Sequence, residues 1–506
     1  MRTMRRVIRL APGDPVVVLR EAGFPGDPLA GETVRLREAV PAGHKVATAP
    51  VPRGAPVRKY GQIIGVATRD ILPGDHVHTH NLAPGDLARE AEIGREATPL
   101  PPAGEIRTFR GYRRPDGRVG TRNWLGVIAT VNCAATVAHM VRERFSADEL
   151  RAHPTVDGIV AIAHPGGCGT ALDGEGFRIL RRTLLGLLRH PNFAGVLLVG
   201  LGCEVAQIRF LLEAAGLEEG PRLRTLVMQE CGGTRRTVAR AVDMLREMLP
   251  EAGRARREEV PAAELVLALQ CGGSDAWSGV TANPALGVAA DLLVRQGGTV
   301  ILSETPEIYG AEHLLARRAV SREVGERLLA RIRWWEAYVA RHGGTMDHNP
   351  TPGNRAGGLT TILEKSLGAV AKAGTAPLVD VLEYAEPVRR RGLVFMDSPG
   401  YDPCSVTGQM ASGATVVAFT TGRGSCFGSK PAPTLKIASN GDTFRRMEED
   451  MDLNAGLVLD GETTVEEMGR RIFERILALA SGEPSKSERL GVGDHEFVPW
   501  QIGAVM

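Results

Sequence analysis

The sequence predicts an α/β protein with a small all-β domain at the N-terminus, followed by Rossmann-like α/β domains built on parallel sheets. Three observations support this. The first 85 residues carry short alternating segments such as DPVVVLR and IIGVATRDI, which are typical of a β domain with tight turns. From Gly111, apolar runs alternate with amphipathic segments at intervals of roughly thirty residues or more, as in right-handed βαβ units. The length of 506 residues exceeds one ordinary core.

These patterns divide the chain into four predicted segments. A β domain occupies 1–85, a linker 86–110, a central α/β domain 111–388 and a C-terminal α/β domain 389–506. The linker is indicated by the polar, proline-bearing segment APGDLAREAEIGREATPLPPAGEIRT. The final helix is expected to begin after Thr464, where TVEE is typical of a capping box.

Composition narrows the class of protein. The net charge of +2 argues against a nucleic-acid or membrane-surface partner, because such proteins concentrate basic residues on one face. The start MRTMRRVIRL lacks the apolar segment of a signal peptide, and no later run reaches membrane-spanning length. We therefore expect a cytoplasmic protein. An odd count of seven cysteines favours free thiols or metal ligands over a disulfide framework.

Five of the seven cysteines follow apolar runs, as in AGVLLVGLGCEV. They are Cys133, Cys168, Cys203, Cys231 and Cys271. Because the carboxyl ends of parallel strands lie along one edge, where ligands bind, these thiols are expected at one rim. Thiolates favour iron, zinc or iron–sulfur centres. The alternative is that each cysteine is buried as a small apolar residue.

The segment DHVHTHN places His76, His78 and His80 two residues apart. On a strand, all three imidazoles project from the same face, which suits a metal or an anionic substrate. The alternative is a polar strand face at a domain boundary.

Two glycine-rich loops carry polar side chains. CGGSDAWSGVTANP holds Ser274, Asp275 and Asn283 after a predicted strand, and its backbone amides suit a substrate carboxylate. TTGRGSCFGSKP offers Arg423, which is suited to bidentate carboxylate binding. A locally capped turn and a solvated surface loop, respectively, are the alternatives. Neither loop matches a phosphate-loop or dinucleotide fingerprint.

An ordered set of motifs resembles one known family. The motifs are GYRRPDGRVGTRNWLGVIATVNC, HPGGCG, RHPNFAGVLLVGLGCE, CGGSDAWSGVTANPALG, GGTVILSETPEIYGAE, NPTPGNRAGGLTTILEKSLG and FTTGRG. Together they are similar to the altronate dehydratase and galactarate dehydratase family over nearly the whole chain. AGHKVA, KYGQIIGVA and GDHVHTHN resemble that family's N-terminal β-clip domain of the SAF type.

The resemblance implies removal of water from a sugar acid to give a 2-keto-3-deoxy acid, with iron or another divalent metal. The matching cysteines are Cys133, Cys168, Cys203 and Cys271. We expect these four to hold Fe²⁺ or, alternatively, an iron–sulfur cluster or another divalent metal. Proton transfer is expected from His78, His80, His164 and Glu204, and substrate binding from Ser274, Asp275, Asn283, Lys365 and Arg423. Glu304 and Glu307 also fall within matching motifs without an assigned role.

Two other functions stay open. A sulfolactate-type lyase eliminates a different group on a similar framework. A thiol-based metal or redox sensor belongs to another class, although sensors usually keep their cysteines close in sequence. The particular sugar acid and the oligomeric state, including a homo-oligomer, are also left open.

Overall fold

A computed structural model describes residues 4–85 and 92–503. The N-terminal domain contains seven short strands: β1 (Val7–Ile8), β2 (Val16–Leu19), β3 (Lys45–Ala47), β4 (Pro56–Lys59), β5 (Gln62–Ala67), β6 (His76–Val77) and β7 (Leu82–Ala83). They form two antiparallel sheets, in the orders β1-β2-β3-β6 and β4-β5-β7. The predicted all-β domain is confirmed.

A four-stranded parallel sheet follows. Its elements, with two preceding strands, are β8 (Thr108–Arg113), β9 (Val119–Gly120), β10 (Trp124–Ala129), α1 (Ala135–Arg142), α2 (Ala147–Arg151), β11 (Gly158–Ile162), α3 (Glu175–Leu188), β12 (Phe193–Gly200), α4 (Ile208–Ala215), β13 (Leu223–Val227) and α5 (Thr234–Ala252). The strand order is β11-β10-β12-β13, with every pair parallel. All eight residues of β12 are buried, which explains the continuous apolar run, since helices cover both faces.

The rest of the chain builds a seven-stranded parallel sheet, in the order β17-β18-β16-β15-β19-β20-β21. Its elements are β14 (Glu258–Pro261), which pairs with β8, then β15 (Val266–Cys271), α6 (Ala282–Arg295), β16 (Thr299–Leu302), α7 (Glu312–Ala316), α8 (Arg322–Arg341), α9 (Pro352–Ala356), α10 (Ile362–Val370), β17 (Leu378–Leu382), β18 (Gly392–Met396), α11 (Asp402–Ala411), β19 (Val416–Thr421), β20 (Thr434–Ala438), α12 (Gly441–Arg446), β21 (Leu453–Asn454), α13 (Gly456–Asp460), α14 (Val465–Ala480) and α15 (Lys486–Arg489).

The predicted segment boundaries fall as follows. The division between 388 and 389 lies between β17 and β18, which pair in parallel, so the sheet continues across it. The predicted boundary thus lies in the connection between these two strands, residues 383–391. Of the predicted linker, 86–91 lies outside the described residues. Gly94 and Glu96 donate backbone hydrogen bonds to Ala316 and Arg317, so this part of the linker lies against α7.

Helices α3 and α11 pack side by side and join the two parallel sheets. Near their C-terminal ends, Gly186 lies so close to the Ala411 carbonyl that a Cβ on it would be 2.1 Å from that oxygen. Near their N-terminal ends, a Cβ on Gly176 of α3 would lie 2.2 Å from the Ile502 carbonyl. The amide of nearby Trp500 donates to the Tyr384 hydroxyl, which in turn donates to the Cys404 carbonyl in the first turn of α11. The two helices therefore run in the same direction. Because each begins beyond the carboxyl end of a strand, the carboxyl edges of both sheets open to the same side of the molecule.

The N-terminal domain docks on α10 through buried charges. The ammonium groups of Lys45 and Lys59 lie 2.9 Å and 2.8 Å from the carboxylate of Glu364, and all three side chains are at most 1% exposed. Burial opposes the ionisation of Glu364, but the two ammonium groups outweigh it and hold its pKa far below the usual range. Among the described residues, no helix combines the length and apolar character needed to cross a bilayer.

Candidate active site

Three cysteines lie together at the carboxyl edge of the four-stranded sheet. Cys133 follows β10, Cys168 follows β11 and Cys203 follows β12, and these are adjacent strands. All three residues are exposed and free. We call them the cysteine rim. The common edge that the sequence predicted for these three thiols is present.

Backbone hydrogen bonds tie the three rim loops to one another. Asn132, beside Cys133, donates to the Gly166 carbonyl at 3.0 Å, and Val205, two residues beyond Cys203, donates to the Gly167 carbonyl at 3.1 Å. The loop that carries Cys168 therefore bonds to both of its neighbours. These main-chain contacts hold the three cysteine-bearing loops next to one another.

Two predicted proton carriers support these loops. Glu204 is buried and accepts hydrogen bonds from the Thr130 hydroxyl at 2.7 Å and from the backbone amides of Leu201 and Gly202 at 3.1 Å and 2.6 Å. His164 contacts the Ala129 carbonyl at 3.1 Å through Nε2 and accepts from the Gly166 amide through Nδ1.

Burial lowers the pKa of His164 to about 4. Since Nδ1 accepts a hydrogen bond, the neutral tautomer carries its proton on Nε2. Both polar side chains at this edge are thus committed to hydrogen bonds that hold the loops.

Cys231 and Cys271 do not join the rim. Cys231 follows β13 and is half-buried. Cys271 is the last residue of β15 in the other sheet and is buried. Within the part of the chain that the structure describes, no three of Cys133, Cys168, Cys203 and Cys271 have sulfur atoms within 4.8 Å of one another. Of the four cysteines expected to hold one metal, Cys271 lies at the carboxyl edge of the other, seven-stranded sheet.

Cys271 lies in a buried group of charges that we call the carboxylate–lysine cluster, made of Cys271, Glu304, Glu307, Lys365 and Lys372. The Lys372 ammonium lies 2.8 Å from the Cys271 sulfur and 3.8 Å from a Glu304 oxygen. The Lys365 ammonium lies 2.7 Å from Glu307, and the thiol lies 3.5 Å from the other Glu307 oxygen. The strand ends of β15 and β16 and the helix α10 bring these side chains together.

The charges in the cluster shift one another's pKa. Burial opposes the ionisation of Glu307, but Lys365 and Lys372 outweigh it and hold its pKa below the usual range. Burial, reinforced by the charge of Glu307, raises the pKa of Glu304 well above the usual range. Burial also raises the pKa of the Cys271 thiol to about 12. The surroundings therefore shift the pKa values of these two glutamates, which are three residues apart, in opposite directions.

The mouth of the cluster is partly open. The Lys365 ammonium also donates to the Asn349 side chain at 2.6 Å, and Asn349 is partly exposed. Asp402, at the start of α11, is partly exposed as well. Burial, and then the charge of Glu307, raise the pKa of Asp402 to about 6.

The predicted substrate residues flank the crevice between the ends of β15 and β19, where the strand order reverses. Asp275 accepts from the backbone and hydroxyl of Ser278 at 2.9 Å and 3.0 Å, and from Asn440. Asn283 bonds to the Gly368 carbonyl and the Thr420 hydroxyl. Both side chains therefore organise the loops.

Ser274 and Arg423 have their polar groups available in the same crevice. The Ser274 hydroxyl is buried without a hydrogen-bond partner among the described residues. Arg423 is exposed and is anchored by its backbone amide, which donates to the Gly273 carbonyl at 2.8 Å. A buried hydroxyl and an exposed guanidinium are suited to the hydroxyl and carboxylate of a small acid.

The histidines of the N-terminal domain cluster with a fourth imidazole. Nδ1 of His44 lies 2.9 Å from Nε2 of His76, and the His44 ring stacks on His78 with centroids 4.9 Å apart. His80 lies 5.4 Å from His76 by ring centroids. β3 pairs antiparallel with β6, with Val46 opposite His76. His44 therefore comes level with His78.

This histidine face contacts the C-terminal half of the chain. The ring Nε2 atoms of His44 and His78 lie 3.2 Å and 2.9 Å from the carbonyls of Ala356 and Arg355, at the end of α9. The next residue, Gly357, lies close to Asp275 and Arg423. The end of α9 thus separates the imidazoles from the crevice loops.

Sequence reasoning missed two of these residues. No sequence pattern singles out Lys372, because its approach to Cys271 depends on the conformation of the turn after α10. His44 lies in the segment AGHKVA, and the antiparallel pairing of β3 with β6 brings it beside the other histidines. A prediction of that pairing would have identified it.

The same three-part organisation is found by comparison with known families. Residues 5–84 match the altronate/galactarate dehydratase SAF domain. Residues 111–253 match the second domain of D-galactarate dehydratase/altronate hydrolase, and residues 262–505 match the C-terminal part of D-galactarate/altronate dehydratase.

Three relatives extend over most of the chain. An altronate dehydratase of Bacillus subtilis is 35% identical, covering 91% of this chain and 91% of the relative. A galactarate dehydratase (L-threo-forming) of Escherichia coli is 38% identical, covering 92% and 91%. The beta subunit of a (2R)-sulfolactate sulfo-lyase of Chromohalobacter salexigens is 35% identical, covering 78% of this chain and 97% of the relative.

The matches to dehydratase domains over most of the chain, together with the two dehydratase relatives, make this protein an enzyme of the hydro-lyase class. The chain belongs to the D-galactarate/altronate dehydratase family. The resemblance drawn from the motifs is confirmed.

Proposed function

We propose that the enzyme removes water from a sugar acid of the altronate or galactarate type and releases a 2-keto-3-deoxy acid. Two relatives are named for dehydration of these acids. The structural observation that supports the proposal is the parallel packing of α3 and α11, which turns the carboxyl edges of both sheets to one side. A small acid on that side is within reach of groups from both edges.

The reaction sets three requirements. A base removes the proton next to the carboxylate, an acid protonates the departing C3 hydroxyl, and a positive group stabilises the charge that develops between these steps. The carboxylate itself must be bound in a fixed orientation.

The three thiols of the cysteine rim are the donors that we propose for iron, either as Fe²⁺ or as an iron–sulfur cluster, with another divalent metal as the alternative. Three exposed thiols lie on neighbouring loops whose positions are fixed by mutual backbone bonds, and thiolates suit these metals. When bound, the metal supplies a Lewis acid that stabilises the developing negative charge. Glu204 and His164 act here by holding the loops in place.

Arg423 and Ser274 are proposed to bind the substrate. The Arg423 guanidinium donates a pair of hydrogen bonds to the carboxylate, and the Ser274 hydroxyl bonds to a substrate hydroxyl. Lys365 is paired with Glu307 and contributes positive charge at the mouth of the carboxylate–lysine cluster. Asp275 and Asn283 shape the loops that carry these groups.

His80 is proposed to move protons, with His78 beside it. Both ring nitrogens of His78 are engaged, one with Thr79 and one with Arg355. The ring of His80 makes no hydrogen bond within residues 4–85 and 92–503, and the residue is exposed.

A sulfolactate-type lyase is the second candidate, favoured by the match that covers 97% of a sulfo-lyase subunit. It forms sulfite instead of a 2-keto-3-deoxy acid, so product analysis separates the two. A thiol-based sensor would bind iron without turnover.

The first test uses protein purified without oxygen. Iron, acid-labile sulfide and the visible spectrum are measured together, and 2-keto acid formed from altronate and galactarate is assayed with semicarbazide. Iron with keto acid supports the proposal, and sulfide distinguishes a cluster from a single ion. Sulfite from sulfolactate, or iron without any product, would overturn it.

A matched pair of variants locates the metal. Cys203→Ser is expected to lower turnover by about 100-fold or more, together with the iron content. Cys231→Ser is the control, because Cys231 also follows a strand of this sheet but lies outside the rim. Full iron and activity in Cys203→Ser would refute the rim as the metal site.

A further inference from the structure

We propose that Cys271, Glu304 and Glu307 form a divalent-metal site at the carboxyl edge of the seven-stranded sheet, separate from the cysteine rim. One ligand atom from each residue lies within 4.8 Å of the other two. One sulfur and two carboxylate donors suit Zn²⁺ or Fe²⁺. Mg²⁺ and Ca²⁺ prefer sites made of oxygen alone.

The strongest observation is the carboxylate of Glu304. The residue is 0% exposed, and neither carboxylate oxygen has a hydrogen-bond partner in the described part of the chain. Buried polar groups in native proteins are almost always paired, and each exception calls for an explanation. A cation bound between Glu304 and Cys271 would satisfy both oxygens.

The backbone fixes Glu304 in this direction. Its φ of 71° and ψ of 71° place it in the left-handed region, which a non-glycine residue rarely adopts unless its surroundings hold it there. The amide of Glu304 donates to the Ser398 hydroxyl at 3.0 Å, and its carbonyl accepts from the Glu307 amide at 2.8 Å. The same short turn therefore orients both carboxylates.

The size of the expected occupant follows from burial. The three donors are between 0% and 4% exposed, and their ligand atoms lie within 4.8 Å of one another, a spacing that suits a single ion. The Lys372 ammonium already lies 2.8 Å from the sulfur. The cluster thus stabilises positive charge beside the thiol, and an ion would take over that place.

The site can be tested with Co²⁺ alone, using the full chain in a background that lacks the rim: Cys133→Ser, Cys168→Ser and Cys203→Ser. We expect one Co²⁺ per chain and a thiolate-to-cobalt charge-transfer band in the near ultraviolet. Adding Cys271→Ser should abolish the band. Adding Cys404→Ser, which removes another buried cysteine, should leave it unchanged.

Glu304→Gln provides a second test that does not disturb the thiol. The substitution keeps the shape of the side chain and removes a buried carboxylate that accepts no hydrogen bond from the described residues and lies 3.8 Å from the Lys372 ammonium. The metal-free variant is therefore expected to remain folded. Its Co²⁺ affinity is expected to fall at least about tenfold. A folded background protein that binds no Co²⁺, a band that survives Cys271→Ser, or unchanged affinity in Glu304→Gln would each overturn the proposal.

This test is independent of the rim and of the substrate. If the rim holds no iron, or if neither sugar acid is turned over, the cobalt band still reports on Cys271. If the band is absent while the dehydratase activity is present, only the second metal site fails.

Discussion

The carboxyl edges of the two parallel sheets share one sequence pattern, an apolar run that ends at a cysteine, but their cysteines lie in opposite environments. At the four-stranded sheet, Cys133, Cys168 and Cys203 are exposed, and the buried side chains of Glu204 and His164 are hydrogen-bonded to the loops. At the seven-stranded sheet, Cys271 is buried among charges. What lies over a strand end, and not the strand itself, decides whether its cysteine is exposed at the surface or part of an interior cluster.

The largest expected loss of stability comes from removing a buried charge on α10. Its residues Glu364 and Lys365 face the N-terminal domain and the carboxylate–lysine cluster, respectively. Glu364→Ala leaves Lys45 and Lys59 buried without their partner, and we expect the free energy of unfolding to fall by about 3–5 kcal/mol. Urea unfolding followed by circular dichroism measures it.

Glu474→Ala is the matched control for that experiment. Glu474 pairs with Arg107 at the surface, where both side chains are at least one-third exposed, so the loss should stay within about 1 kcal/mol. Equal losses in the two variants would show that burial of charge does not stabilise this interface.

A substitution behind the cysteine rim is expected to lower stability by less, because it acts through the loops that carry the cysteines. Glu204→Gln keeps the size of the side chain but sets an amide group against backbone donors that need an acceptor. We expect a loss of about 1–3 kcal/mol and a lower iron content in protein purified without oxygen. Glu213→Gln, an exposed change on α4, should alter neither. Unchanged iron in Glu204→Gln would separate the loop bonds from metal binding.

Much of this organisation could be predicted from local sequence. Apolar runs that end at a cysteine indicated β10, β11, β12 and β15, because a strand buried on both faces needs a continuous apolar sequence. The rule that ligands bind at carboxyl edges then placed the rim cysteines. The turn-rich start indicated the small β domain.

The assignment of each cysteine to a sheet could not be predicted in that way. Strand order depends on packing between distant segments, and β15 pairs with β16 and β19 instead of extending the first sheet. The role of Glu304 was hidden for a similar reason, since its left-handed backbone and its proximity to Lys372 arise only after α10 is in place. Interior charge pairs of this kind leave no periodic pattern in the sequence.

The two edges also respond to acid in opposite directions. Burial lowers the pKa of His164 from 6.5 to about 4, whereas burial and the charge of Glu307 raise the pKa of Asp402 from 3.8 to about 6. Between pH 6.5 and 4 the unfolded chain binds a proton at His164 and the folded chain does not, so His164 makes stability fall as the pH falls. Between pH 6 and 3.8 the folded chain holds the proton on Asp402, so Asp402 opposes that fall.

Two variants separate these opposing contributions. Asp402→Asn should make the loss of stability on acidification steeper, and His164→Gln should make it shallower, each by at most about 1.4 kcal/mol per pH unit, since one proton is involved. Urea midpoints measured between pH 7 and pH 5 report both slopes. Because the parent protein combines the two groups, its slope should lie between those of the variants. A parent slope outside that interval would mean that the two edges do not titrate independently.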